Sequence, residues 1–272
     1  MAEKQNIKEM SFLDHLEELR WHLVRSVVGI LVLSVIAFLS KSIIFDKIIF
    51  GPAQPSFLTY KGLCAISEAI RLGSRLCIDK IGFEVINLEL AGQFLVHLKV
   101  SFVAGFVIAF PYVFWEFWRF VKPGLHRDEI QYTRWIVFFA SLLFFMGISF
   151  GYFIMMPFAV NFFSNYSISG TVANTFSLTN YVGFITMFVL AAGILFELPM
   201  IVYFLSKLGL VTPDIMRHYR KHAFVVILLV SALITPADVG TQMLIATPVY
   251  FLYEISIFIS ARVVKNRERE LE

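Results

Sequence analysis

An all-α, polytopic membrane protein is predicted here, with six transmembrane helices in a cupped bundle and short fifth and sixth spans. Three observations lead there. Hydrophobic residues make up 58% of the 272 positions and charged residues only 16%, at a mean hydropathy of +0.75. That is more apolar surface than one soluble core can hide, whereas lipid tolerates it. Apolar runs of membrane-crossing length recur between charged connections. The basic residues crowd into alternate connections.

Residues 1–5 read as a short disordered tail. Phe12, Leu13, Leu16, Leu19 and Leu23 recur at helical spacing over 11–25, where Ser11 with Asp14 starts an interfacial helix whose mixed charge suits the membrane surface. The first span follows at about 24–44. A long polar loop, 45–87, contains Pro52, Pro55 and both cysteines. The second run, 88–120, exceeds the ~20 residues a bilayer needs, so it reads as a tilted helix with Pro111 as its kink site. The third span is expected at 135–156, followed by an uncharged loop at 157–180. The fourth is at 181–205 and holds Glu197 and Pro199. The fifth, 223–235, reaches only about 20 Å at ~1.5 Å per residue, against a ~30 Å hydrocarbon core. The sixth, 243–260, is also modest, and a charged tail of 261–272 ends the chain. The whole reads as a single membrane domain without internal repeats.

Charge fixes orientation. The N-terminal segment carries Lys4, Lys8, Arg20 and Arg25; Arg119, Lys122, Arg127 and Arg134 lie in the loop after the second span. Lys207, Arg217, Arg220 and Lys221 follow the fourth, and Arg262, Lys265, Arg267 and Arg269 follow the sixth. Six spans put all four groups on one side, with both termini cytoplasmic; five would strand the basic tail outside. A net charge of +3 is too small to suggest nucleic-acid binding. No cleavable signal peptide is visible in the charged first twenty residues.

Three carboxylates lie inside apolar runs. Glu116 has Arg119 one turn away, and that pairing is its simplest role. Glu254 lies near the inner end of the last span, within reach of the interface. Glu197 lies deepest, as a protonated group bonded to a neighbouring helix or as a polar group facing a cavity. On the cytoplasmic face, Glu17, Glu18 and Arg20 form one charge cluster and Arg127, Asp128 and Glu129 another. A charge run is ordinarily a solvated face, but two acidic patches together can also grip a basic peptide through charge-assisted hydrogen bonds to guanidinium. No nucleophile elbow, zinc-protease motif, Walker loop or dinucleotide glycine pattern occurs, and the scattered histidines argue against a metal or cofactor. An intramembrane protease lacks a catalytic pair. A proton-coupled secondary transporter using Glu197 remains the alternative to a receptor. Cys64 and Cys77 fall on the outer side, where disulfides persist, and are expected to be bonded; two unrelated buried thiols are the alternative.

Several strings resemble the TatC family, the core of the twin-arginine protein translocase. His15 to Arg20 (HLEELR) is similar to its N-terminal signature, and Phe117 to Leu125 (FWRFVKPGL) with Glu129 to its first cytoplasmic loop. Phe196-Glu197-Leu198-Pro199 is similar to its fourth-span motif. Thr235-Pro236-Ala237-Asp238 with Thr241-Gln242 resembles its last outer turn, and Leu252 to Ser256 its sixth span. Pro52 matches a proline after the first span. The matches run in order along nearly the whole chain.

The resemblance implies a non-enzymatic receptor in the cell inner membrane that recognises signal peptides bearing two adjacent arginines. Folded cargo is then exported on the proton-motive force. It assigns signal-peptide binding to Glu18, Arg20, Phe120, Pro123, Leu125 and Glu129, and a concave intramembrane pocket to Glu197. It assigns contact with partner subunits to the turn regions with Pro52, Pro236, Asp238 and Gln242. Single-span TatA and TatB proteins, lipid and further copies of the chain are the implied partners. Two features depart from the pattern: the first outer loop is longer and carries both cysteines, and Ala237 stands where a second proline is expected.

Overall fold

The structure is a computed structural model describing residues 12–69, 77, 83–121, 133–169, 171, 174–234 and 239–271. Its backbone is almost wholly helical, and five stretches among the described residues are long and apolar enough to cross a bilayer. They are Leu16–Leu39, Gly92–Val121, Trp135–Asn165, Leu178–Lys207 and Val239–Arg267. The chain gathers into two compact units, one formed by residues up to 39 with 101–141, the other by 40–100 with 142–272.

In the first unit, helix α1 (Phe12–Leu39) runs against the later part of helix α3 (Gly92–Val121). The contacts give an antiparallel register. His22 meets Glu116, Gly29 faces Tyr112 and Gly105 faces Ser34, so one index falls as the other rises. Gly105 lies so close to the Ser34 backbone that a Cβ there would fall 2.7 Å from its Cα. The interfacial helix and first span expected separately are thus one uninterrupted helix. No proline interrupts 12–39, its one glycine, Gly29, packs against the Tyr112 ring, and the charged first turns carry good helix formers.

The second unit begins where α1 ends. A π-helical segment, Ile43–Ile49, passes into the 3₁₀ turn Gly51–Ala53. The long polar loop contains helix α2 (Leu58–Ala69) and strand β1 (Glu84–Ile86). Strand β2 (Thr175–Ser177) pairs with β1 in parallel, with Glu84 opposite Thr175. Cys64 and Cys77 are joined in a disulfide. Hydroxyl groups satisfy backbone carbonyls where the chain leaves regular helix: Tyr152 donates to Ile48 (2.7 Å), Tyr181 to Ile49 (3.1 Å) and Tyr60 to Pro52 (2.9 Å). Without such donors the buried carbonyls of Ile49 and Pro52 would be left unpaired, at a cost of about 1–3 kcal/mol each.

The third span is longer than expected. Helix α4 (Thr133–Phe150) continues through a π-helical turn, Gly151–Met155, into helix α5 (Met156–Asn165). The sequence reading ends the span at Pro157; here the helix runs through it, and the Phe153 carbonyl that its absent N–H leaves free accepts from the Thr59 hydroxyl at 2.5 Å. Gly147 and Gly151 let this helix approach helix α6 (Leu178–Phe196) closely: a Cβ on Gly147 would lie 2.9 Å from the Cα of Gly193. Helix α7 (Leu198–Lys207) continues α6 after a one-residue break at Glu197. A turn with Gly209 at φ 75° and the short helix α8 (Pro213–His218) lead to helix α9 (Arg220–Ile234). At 15 residues, α9 spans about 22 Å, shorter than the hydrocarbon core.

The sixth apolar run lies within a helix much longer than itself. Helix α10 (Val239–Leu271) has 33 residues and passes through Pro248 and into the charged tail. The sequence reading stopped it where charge begins, but Arg, Lys and Glu are strong helix formers and prolong a helix beyond its apolar part. Buried Met155, Phe188, Ala192, Ile227 and Ile245 form the core shared by the π-helical turn, α6, α9 and α10.

Candidate functional site

The densest polar chemistry in the first unit is a buried carboxylate. Glu116 is only 2% exposed, and its Oε2 lies 2.5 Å from Nδ1 of His22. Arg119 reaches its other oxygen at 3.5 Å and Arg25 stands at 4.0 Å. The Arg119 pairing read from sequence is therefore present, but it is the longer contact. His22 and Arg25 escaped the sequence reading. Their signal was spacing: Glu18, His22 and Arg25 repeat at four and three residues, one face of α1.

Around this lock lie the described residues of the expected peptide site. Glu18 is half-buried, one turn before His22, and no basic side chain pairs with it among the described residues. Its neighbour Glu17 is already engaged by Arg20 at 3.3 Å, an exposed pair worth at most ~1 kcal/mol. The Arg20 guanidinium also lies 5.8 Å over the Trp21 ring. Phe120 meets the His22 ring edge-on at 6.4 Å between centroids. Pro123, Leu125 and Glu129 fall outside the described residues.

In the second unit, Glu197 is buried at 8% exposure, at the joint between α6 and α7. The break has a local cause: Pro199 brings no N–H, and the amides of Met200 and Ile201 both turn to the Glu197 carbonyl at 2.9 Å. Its carboxylate faces the Phe144 backbone, yet neither oxygen has a well-formed hydrogen bond among the described residues. Of the other expected positions, Pro52 is buried under Tyr60. Gln242 donates to the Leu228 carbonyl at 3.0 Å, tying α10 to α9. Pro236 and Asp238 lie outside the described residues. Among those described, no cluster of His, Cys, Asp and Glu is arranged to hold a metal.

The profile of the Sec-independent protein translocase protein (TatC) family matches residues 14–248. A relative of that name from Blattabacterium sp. subsp. Periplaneta americana is 37% identical over 265 residues, covering 97% of this chain and 100% of its own. The chain belongs to the TatC family. The Aquifex aeolicus TatC is 31% identical over 264 residues, covering 97% of this chain and 99% of its own. Two crystal structures of a twin-arginine translocase receptor TatC share 33% of residues with this chain and cover 90% of it. Their TM-scores are 0.69 over 97% of the solved chain and 0.72, for the form in DDM, over 99%. As a TatC protein, the chain is a multi-pass membrane subunit of a protein translocase, works with other Tat components and performs no enzymatic chemistry of its own.

Proposed function

We propose that this TatC protein is the receptor of a twin-arginine translocase, binding the paired arginines of a signal peptide at its cytoplasmic face so that folded cargo is exported on the proton-motive force. Both termini lie in the cytoplasm in this reading, which the distribution of Lys and Arg supports. The observation that carries it is the state of three neighbouring carboxylates. Glu116 is consumed by His22 and the arginines beside it, Glu17 by Arg20, and Glu18 alone is left without a basic partner among the described residues. An anionic group held half-buried on a fixed helix is ready for a guanidinium, and a second carboxylate at Glu129 supplies the other half of the grip. Two planar, bidentate pairs of this kind distinguish arginine from lysine. Arg20, Phe120, Pro123 and Leu125 border the same site.

Glu197 serves a separate step, as a polar group within the membrane that partner subunits or cargo meet during passage. Single-span TatA and TatB proteins, contacting the turn regions at Pro52, Pro236, Asp238 and Gln242, complete the machine.

The test measures binding of a signal peptide carrying its two arginines or two lysines. The wild type and the double variant Glu18→Ala, Glu129→Ala are compared. Strong binding is expected only for the arginine peptide on the wild type. Equal binding in all four combinations overturns the receptor reading.

A further inference from the structure

A cavity of about 640 Å³ opens in the second unit where the π-helical segment meets the first turns of α3. It belongs to none of the residues assigned above. Lys41 and Asp46 both line it, and neither forms an ion pair within 4.0 Å among the described residues, with each other or with any other group. Two opposite charges that share a cavity without meeting leave room for a ligand carrying both signs in reverse order. Gln93 adds donors and Asn87 an acceptor, since one N–H of the Asn87 amide is already given to the Glu89 carbonyl at 2.8 Å. Phe45 and Phe94 form the apolar side; Phe94 is 61% exposed and extends that side outward along α3. Lys41 follows α1 by two residues and Gln93 is the second residue of α3, so the polar rim lies at the ends of two apolar helices. Helix ends of that kind coincide with the headgroup layer.

We infer that this cavity is a phospholipid site selective for a zwitterionic phosphoethanolamine headgroup, with Lys41 and Gln93 on the phosphate, Asp46 on the ammonium, and an acyl chain over Phe45 and Phe94. The size falls within the usual range of small-molecule sites, ~300–1,000 Å³. A primary ammonium donates hydrogen bonds to a carboxylate and a quaternary one does not, so Asp46 separates ethanolamine from choline lipids. The carboxylate repels a purely anionic headgroup.

Native mass spectrometry of the full chain, released from nanodiscs of equal dioleoyl phosphatidylethanolamine, phosphatidylcholine and phosphatidylglycerol, tests this. One phosphatidylethanolamine is expected to be retained preferentially. Lys41→Gln should weaken its retention about tenfold or more, as expected for loss of a hydrogen bond to a charged group. Asp46→Asn should abolish the preference over phosphatidylglycerol, and Lys47→Gln, one residue from Asp46 but not lining the cavity, should match the wild type. Retention without preference, or unaltered retention in Lys41→Gln and Asp46→Asn, overturns the assignment. So does equal binding of soluble phosphoethanolamine, which would make the site one for a free metabolite.

Discussion

Nδ1 of His22 on α1 lies 2.5 Å from Oε2 of Glu116 on α3, with the carboxylate 2% exposed. The pair joins residues 94 positions apart and sets the turn of α1 that presents Glu18. Removing one member of such a buried pair leaves the other charge or donor uncompensated. Glu116→Ala is expected to cost about 3–5 kcal/mol in thermal or denaturant unfolding. Glu116→Gln keeps an acceptor for His22 and should lose only roughly 1–2 kcal/mol. Signal-peptide affinity should fall with Glu116→Ala even though Glu18 is untouched; unaltered affinity would detach the lock from the peptide site.

Glu197 sets stability against function. A buried carboxylate without well-formed hydrogen bonds is a burden on the fold. Glu197→Leu should raise stability by about 1–4 kcal/mol while abolishing export. Glu197→Ala should lower export but leave peptide binding largely intact. Loss of binding in that variant would break the division between a surface grip and an intramembrane group.

Gly147 and Gly62 respond to alanine in opposite directions. At Gly147 a methyl would lie 2.8 Å from Cβ of Phe196 and 2.9 Å from Cα of Gly193, so Gly147→Ala should destabilise by about 1–3 kcal/mol. At Gly62, inside α2, a methyl meets nothing within 4 Å, so Gly62→Ala should stabilise by about 0.5–1 kcal/mol. Melting temperatures of the two variants read both signs in one experiment.

Tyr60 gives the region around α2 an alkaline limit. Its hydroxyl is buried and bonded to Pro52, and burial pushes its pKa above the ordinary value of 10. A neutral group whose pKa is raised on folding stabilises fully below its unfolded pKa. That contribution is lost as pH rises above about 10. Tyr60→Phe should remove part of this alkaline loss and cost about 1 kcal/mol at neutral pH through the missing hydrogen bond. Unfolding followed from pH 7 to 11 compares the two.

The disulfide of Cys64 and Cys77 closes a short loop, for which chain-entropy arguments give about 3 kcal/mol. Thiol labelling of unreduced, denatured protein should detect no free cysteine. Two labelled thiols would remove the bond from the account.

Apolar run length located the five long spans, because lipid exposure demands uninterrupted hydrophobic stretches. Helix ends were poorly legible for the same reason. Charge ended the predicted sixth span near Ser260, and Pro157 ended the third, although neither feature stops a helix where the chain leaves the hydrocarbon. In the site, Arg119 was visible beside Glu116 because helical neighbours are local. His22 was not, since its meeting with Glu116 depends on how α1 and α3 pack. The short strands Glu84–Ile86 and Thr175–Ser177 carry too few residues for an alternating pattern, so their pairing was invisible.

That pairing also imposes an order on biosynthesis. Glu84 cannot find Thr175 until 91 more positions have been made, roughly 5–20 s of translation. Two membrane crossings, by α3 and by α4 with α5, separate the strands, so their union requires that both insertions be completed and correctly oriented. The Cys64–Cys77 bond joins residues only 13 positions apart and needs nothing beyond Cys77 to have crossed. A nascent chain can thus seal its first loop early, while the short parallel ladder remains open as a late checkpoint on topology.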